Sequence, residues 1–290
     1  MYNLTDITTV KRILKKFGFR FSKSLGQNFL IDENIPRLIA EKSGIDGDFG
    51  VIEIGPGVGT LTAELAKFAK KVVSIEIDKA LIPVLGETLK EFDNIKLVNS
   101  DVMKTDINKI ISEEFEGLKV AVCANLPYYI TTPVIMHLLE CRLNIESITV
   151  MVQKEVAQRL CAKAGTSAYG SITLAVNYYT KPEILFEVKS SSFYPEPKVD
   201  SAVIKFEILG EPPVKVKDER LLFAVIKAAF SQRRKTLVNA LCNNLTPKIQ
   251  KPDLTEILNL CGIPVNIRGE MLDLSAFSKL SDIILEYYQK

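Results

Sequence analysis

The sequence has little of what many catalytic centres require. It contains one histidine, His137, set in an apolar pattern where it reads as structural. A multi-histidine metal site is thereby excluded, and a Ser-His-Asp triad has no visible partners. The five cysteines (123, 141, 161, 242 and 261) are scattered and include no CxxC pair. That argues against a disulfide framework and against zinc, so no metal is expected. No apolar run approaches the ~20 residues of a membrane span. The first residues include Asp6 and lack the apolar core of a signal peptide. A cytoplasmic protein with no membrane partner is the expectation. Net charge is only +2, so an anionic partner has to be met by local patches. One patch is itself marked by an absence. Residues 7–31 contain no acid but carry Lys11, Arg12, Lys15, Lys16, Arg20 and Lys23. This is either a solvated basic helix or a nucleic-acid contact, with Lys11, Arg12 and Arg20 as candidates.

Against these absences stands an ordinary globular composition, 47% hydrophobic and 25% charged over 290 residues. Residues 43–208 alternate short β-type runs with helical patterns. Strands are expected at 50–55, 72–77, 95–100, 118–125 and 147–152. Helices are expected at 60–71, 79–92 (with Pro83 in the first turn), 106–115, 131–141 and 154–162. Thr132 and Pro133 suit the N-cap and first position of the helix at 131–141. Two β-rich stretches, 171–188 and 199–209, read as a final antiparallel pair. Alternating units imply an α/β fold, a mostly parallel sheet covered on both faces. "EPPVKVKDE" (211–219) reads as a linker, and the pattern after it is helical. Two domains are expected, a catalytic one over 1–209 and a small α-helical one over 210–290.

"EIGPGVGT" (53–60) joins the first strand to the first helix. Gly55, Gly57 and Gly59 would let the backbone turn tightly and approach a ligand. The spacing is GxGxG, not the GxGxxG of dinucleotide enzymes, and Glu53 is a poor neighbour for a pyrophosphate. A carboxylate there suits a cationic ligand such as the sulfonium and amino group of S-adenosylmethionine. Glu76 ends the second strand, where an acid can hold ribose hydroxyls. Asp101 ends the third, placed to accept from an adenine amino group. Asn125 ends the fourth. Open α/β sheets bind ligands at this edge.

After Asn125 the chain runs Leu126-Pro127-Tyr128-Tyr129. The Asn amide oxygen and a backbone carbonyl exposed by the Pro127 turn offer two acceptors to an exocyclic amine. Pairing them would free the nitrogen lone pair for attack on a methyl group. Tyr128 offers a flat face for stacking a base. Tyr129 has no separate chemical role and is assigned to packing.

"FSQRRKTLVNAL" (230–241) holds the densest positive cluster, Arg233, Arg234 and Lys235. An unbroken helix through it would put Arg233 in the apolar stripe with Ile226, Phe230 and Leu237. Either the helix breaks near Ser231-Gln232 and the cluster meets phosphates, the favoured reading, or Arg233 faces an acid at the domain junction.

These motifs resemble the S-adenosylmethionine-dependent ribosomal RNA adenine N6-dimethyltransferases, more narrowly the small-subunit enzymes linked to kasugamycin sensitivity. The resemblance covers most of the chain. It runs through "SLGQNFLID" (24–32), "EIGPGVGTLT" (53–62), "EID" (76–78), "SDV" (100–102), "NLPYYI" (125–130), "MVQKEVAQRL" (151–160), "YGSIT" (169–173), "SFYPEPKVDSAVI" (192–204) and "FSQRRKTLVNAL" (230–241). It implies a Rossmann-like methyltransferase domain and an RNA-binding helical domain. It also implies that Asn28 and Leu30 border the cofactor and that Phe193 packs near the target adenine. The implied product is S-adenosylhomocysteine. The implied substrate is a pair of adjacent adenosines near the 3′ end of small-subunit rRNA in an assembling subunit, modified by a monomer. Three other readings compete. A large-subunit dimethylase of the macrolide-resistance type is disfavoured by "FYPEPKVDSAV" and "FSQRRKTLVNAL". A non-catalytic relative is disfavoured by intact Asn125 and Tyr128. A nicotinamide-dependent oxidoreductase is disfavoured by the missing GxGxxG.

Overall fold

A computed structural model describes residues 2–19 and 28–289. Arg20 and Lys23, proposed as basic contacts, lie outside the described residues. The chain divides into two compact units. One comprises residues up to 157 with Glu183–Ile208, the other Gln158–Pro182 with the chain from Leu209 onward.

The first unit is built on a seven-stranded sheet. Its strands are β2 (Phe49–Ile54), β3 (Lys71–Glu76), β4 (Ile95–Asn99), β5 (Lys119–Asn125), β6 (Ser147–Gln153), β7 (Thr180–Val188) and β9 (Ser201–Ile208), in the order β4-β3-β2-β5-β6-β9-β7. A separate ribbon pairs β1 (Phe29–Leu30) with β8 (Phe193–Tyr194). β2 to β6 run parallel, and β9 is antiparallel to β6. β2 and β3 are buried along nearly their whole length, as helix-covered strands must be. The helices are α1 (Ile7–Lys16), α2 (Asn34–Ser43), α3 (Thr60–Phe68), α4 (Ile82–Thr88), α5 (Ile107–Glu114), α6 (Thr131–Glu140) and α7 (Lys154–Leu160), which runs past residue 157. From β2 the chain winds outward through β3 to β4, then returns to lay β5 on the other side of β2. The reversal opens a crevice at the carboxyl ends of β2 and β5.

Three local expectations change. The 79–92 helix starts as a 3-10 turn, Lys79–Leu81, capped by Asp78. Only then does α4 begin, which leaves Pro83 in its first turn. α6 begins at Thr131 with Ile130 as N-cap, so Thr132 is not the cap. The Pro127 carbonyl accepts the Ile130 N–H at 3.1 Å and the Thr131 hydroxyl at 3.2 Å, so the turn winds directly into the helix. Pro133 is then the third helical residue and not the first, but it lies in the first turn, where a missing N–H costs nothing. Residues 171–179 form a helix, α8 (Ser171–Tyr179), and not a strand. "SITLAVNYY" is rich in β-branched and aromatic residues, but burial of Thr173, Leu174, Ala175, Val176 and Tyr178 overrides that weak local preference.

α8 belongs to the second unit with α9 (Glu219–Phe230), α10 (Leu237–Asn244), α11 (Lys251–Cys261) and α12 (Leu274–Tyr288). Their apolar faces meet in one core that includes Leu174, Leu222, Val225, Leu241, Leu258 and Phe277. The Tyr178 and Tyr179 hydroxyls both donate to Glu219, each at 3.1 Å, which ties α8 to the start of α9. No described helix is long and apolar enough to cross a membrane.

Candidate active site

A pocket of about 270 Å³ lies wholly within the first unit, at the carboxyl edge of the sheet. It is lined by Glu53 from β2, Gly55 and Gly57 after it, Glu76 from β3, Asp101 after β4, and Asn125, Pro127 and Tyr128 from the end of β5. The β1–β8 ribbon pairs Leu30 with Phe193 and so carries Asn28, Leu30 and Phe193 to the same wall. Of the residues expected at cofactor or base, one lies outside this lining. Gly59 is the N-cap of α3 with φ 91°, and a Cβ there would stand 2.9 Å from Leu89. Its missing side chain serves a left-handed cap and close packing. Gly57 lines the pocket and is also left-handed and closely packed: φ is 61°, and a Cβ would meet the Phe29 ring at 3.2 Å.

The acids differ in how they are held. Glu53 is 1% exposed and accepts from the Ser74 hydroxyl, its cross-strand neighbour, at 2.8 Å. Burial pushes its carboxyl up to about 7, with hydrogen bonding opposing the shift and the charge of Glu76 adding to it. The adjacent Cys123 thiol is pushed up to about 12, first by burial and then by Glu53, so it is no nucleophile at neutral pH. Glu76 is buried with its carboxylate aimed by backbone: the Gly57 N–H donates at 3.2 Å and the Asp78 N–H at 2.8 Å. Burial raises its pKa, and these N–H donors resist the rise. Asp101 caps a 3-10 turn, its Oδ1 accepting from the Met103 N–H at 3.0 Å. A carboxylate has about four acceptor positions, so capping leaves capacity for a ligand.

At β5 the Asn125 amide donates to the Asn28 carbonyl at 3.5 Å. That long contact orients the amide with Oδ1 as its acceptor. The Tyr128 hydroxyl is tied to Ser201 at 2.7 Å, which fixes a half-buried ring. Burial raises its pKa, so it is a neutral phenol at physiological pH. Among the described residues no group of three or more His, Cys, Asp or Glu could hold a metal ion.

The model of the family described as ribosomal RNA adenine dimethylase matches residues 18–278. The chain belongs to the ribosomal RNA adenine dimethylase family. Its activity is methyl transfer from S-adenosylmethionine to adenine in ribosomal RNA. It is 51% identical over 289 residues to ribosomal RNA small subunit methyltransferase A of Geobacillus thermodenitrificans, covering 98% of this chain and 99% of that one. The protein of the same name from Alkaliphilus metalliredigens is 48% identical, with 97% and 98% covered. Among solved structures, a dimethyladenosine transferase from Plasmodium falciparum superposes with TM-score 0.72 at 28% identity, covering 90% and 97%. The 23S rRNA methyltransferase ErmE gives 0.65 at 26%, covering 88% and 98%.

In this dimethylase the pocket includes apolar residues that pattern reading passes over. Ile77 and Met103 are 54% and 40% exposed and line the same cavity as Glu76 and Asp101. The available signal was an apolar side chain one or two positions beyond each strand-end acid. The basic candidates divide. α9 ends at Phe230, a turn follows, and α10 starts at Leu237, so the helix breaks where expected. Arg233 is nevertheless occupied inside the helical unit. It donates to the carbonyls of Ser167 (2.6 Å) and Tyr169 (3.2 Å) and lies 3.5 Å from Glu270. An acid partner is thus present, as the alternative reading had it, but Glu270 and both carbonyls lie inside the helical unit and not at a domain junction, and half of the Arg233 side chain stays exposed. Arg234 and Lys235 are exposed and make no ion pair among the described residues. On α1, Lys11 lies 4.3 Å from the Tyr194 ring centre and Lys16 pairs with Glu87, while Arg12 and Lys15 are exposed.

Proposed function

We propose that this chain transfers methyl groups to N6 of two adjacent adenosines near the 3′ end of small-subunit ribosomal RNA, as a cytoplasmic monomer acting on an assembling subunit. The supporting observation is the lining of one pocket: Asn125, Pro127 and Tyr128 share it with Glu53, Glu76 and Asp101. Identity near 50% over almost the whole length to proteins named for the small subunit favours that substrate over the large subunit.

The acceptors fit S-adenosylmethionine. Glu53 faces the cationic end, Glu76 takes ribose hydroxyls, and Asp101 accepts from the adenine amine between Ile77 and Met103. Asn28 and Leu30 close the wall, and Gly55 and Gly57 allow backbone approach. When bound, the cofactor supplies a methyl group activated on sulfur. The chain's own residues position the target amine. Asn125 Oδ1 accepts one N6 hydrogen. The Pro127 carbonyl is already used by Ile130 and Thr131, so the second acceptor is the carbonyl of Leu126, a residue that lines the pocket. Tyr128 and Phe193 provide faces for the ring. Held this way, the amine would take the methyl group and water would take the proton it sheds, so no strong base is needed. Catalysis rests on orientation and on acceptors placed for developing positive charge. Arg12, Arg234 and Lys235 contact phosphates, with the helical unit as the RNA-binding part.

The test is methyl transfer from labelled cofactor to undermethylated small subunits and to free large-subunit rRNA, followed by nucleoside analysis. Dimethyladenosine in the small-subunit sample is expected. Its appearance only in the large-subunit sample overturns the substrate assignment.

A further inference from the structure

Tyr129 is the one residue of the Asn-Leu-Pro-Tyr-Tyr turn still without a role. Its assignment to packing fails, because it lines the pocket yet is 56% exposed. The hydrogen bond from Ile130 N–H to the Pro127 carbonyl closes a tight turn, and Tyr129 stands at its tip. Its neighbour Tyr128 is half-buried and tethered to Ser201. Tyr129 makes no hydrogen bond and no ring contact among the described residues. The turn therefore presents two aromatics in two states, one held inside the pocket and one free at its rim.

We infer that Tyr129 stacks the nucleotide beside the target adenosine, outside the pocket, and is a residue that sets RNA affinity. A base drawn out of a strand leaves its neighbour without a stacking partner. An exposed aromatic at the mouth restores that contact, and every base offers it a π-face. Tyr128 serves the base inside and Tyr129 the base that follows. This rests on the proposed function, in which that neighbour is the second adenosine to be modified.

The experiment uses the full chain with Tyr129→Ala and Tyr129→Phe. Cofactor Kd is read by calorimetry and methyl transfer to undermethylated small subunits by steady-state kinetics. Tyr129→Ala should raise KM for subunits roughly tenfold with cofactor Kd unchanged. Tyr129→Phe should stay within about twofold of wild type, since stacking needs the ring and not the hydroxyl. An unchanged KM in Tyr129→Ala overturns the inference, as does Tyr129→Phe failing like Tyr129→Ala. A wild-type protein inactive on small subunits would defeat the proposed substrate, not this role. Fluorescence anisotropy with a short single-stranded oligoadenosine then decides the role, with Tyr129→Ala binding more weakly or the inference failing.

Discussion

Glu53→Gln should make the cofactor-free protein more stable and its cofactor bind less tightly. The native Glu53 carboxyl holds its proton up to about pH 7, while the ordinary value is 4.5. Stability associated with this group is complete below pH 4.5 and is lost as pH rises through 7. At pH 8 the loss corresponds to roughly 3 kcal/mol, and at pH 5 to under about 1 kcal/mol. Glutamine keeps an oxygen for the Ser74 hydroxyl and removes the buried charge. Urea unfolding should therefore show the variant ahead by about 2–3 kcal/mol at pH 8 and nearly level at pH 5. In the proposed function the same charge faces the cationic end of S-adenosylmethionine. Calorimetry should show the variant binding it roughly ten- to a hundredfold more weakly at pH 8, the value of a charge-assisted hydrogen bond. Wild-type affinity should itself fall as pH drops below 7, because binding then has to displace a proton. A variant less stable than wild type at pH 8, or one that binds cofactor equally well, refutes the reasoning.

Other outcomes follow from the same geometry. Asn125→Ala should lower kcat on small subunits by roughly 10²–10³ while cofactor Kd changes only a few-fold, because one of two amine acceptors is lost; full rate in a methyl-transfer assay would sink the mechanism. Gly59→Ala should cost about 1–2 kcal/mol in denaturant unfolding, from a positive φ and the Leu89 contact, with cofactor affinity kept. Arg234→Ala with Lys235→Ala should reduce the slope of log affinity for RNA against log salt by about 2. Arg233→Ala should instead lower Tm and leave that slope nearly unchanged, since its guanidinium serves Ser167, Tyr169 and Glu270.

The sheet and the acids at its edge were legible because alternating β and α runs, with a polar residue closing each strand, leave few arrangements. The pocket residues fall at strand ends, where position along the chain translates into position in space. Legibility fails where tertiary packing decides. Residues 171–179 carry strand-like composition but are wound into a helix by burial. Gly59 belongs to a glycine pattern, but its spatial neighbour Leu89 lies 30 residues away, beyond any local signal. The apolar stripe around Arg233 signals that it needs a partner, but nothing local says that the partners will be carbonyls near residue 168 and an acid at 270. Tyr129 repeats the residue before it, and only the turn geometry separates the two rings.

The β1–β8 ribbon has a consequence for how the enzyme is born. Phe29 pairs with Tyr194, Leu30 with Phe193, and the Ile31 N–H donates to the Ser192 carbonyl at 2.9 Å. One wall of the pocket is thus made from segments more than 160 residues apart. A ribosome synthesising the chain releases the glycine loop and the Asn-Leu-Pro-Tyr turn well before the strand that completes that wall. A nascent chain that has not yet emerged through Tyr194 lacks Phe193 and leaves Leu30 without its strand partner. The site then closes in one late long-range step, of the kind that slows folding. Two-thirds of the chain has to exist before the pocket does.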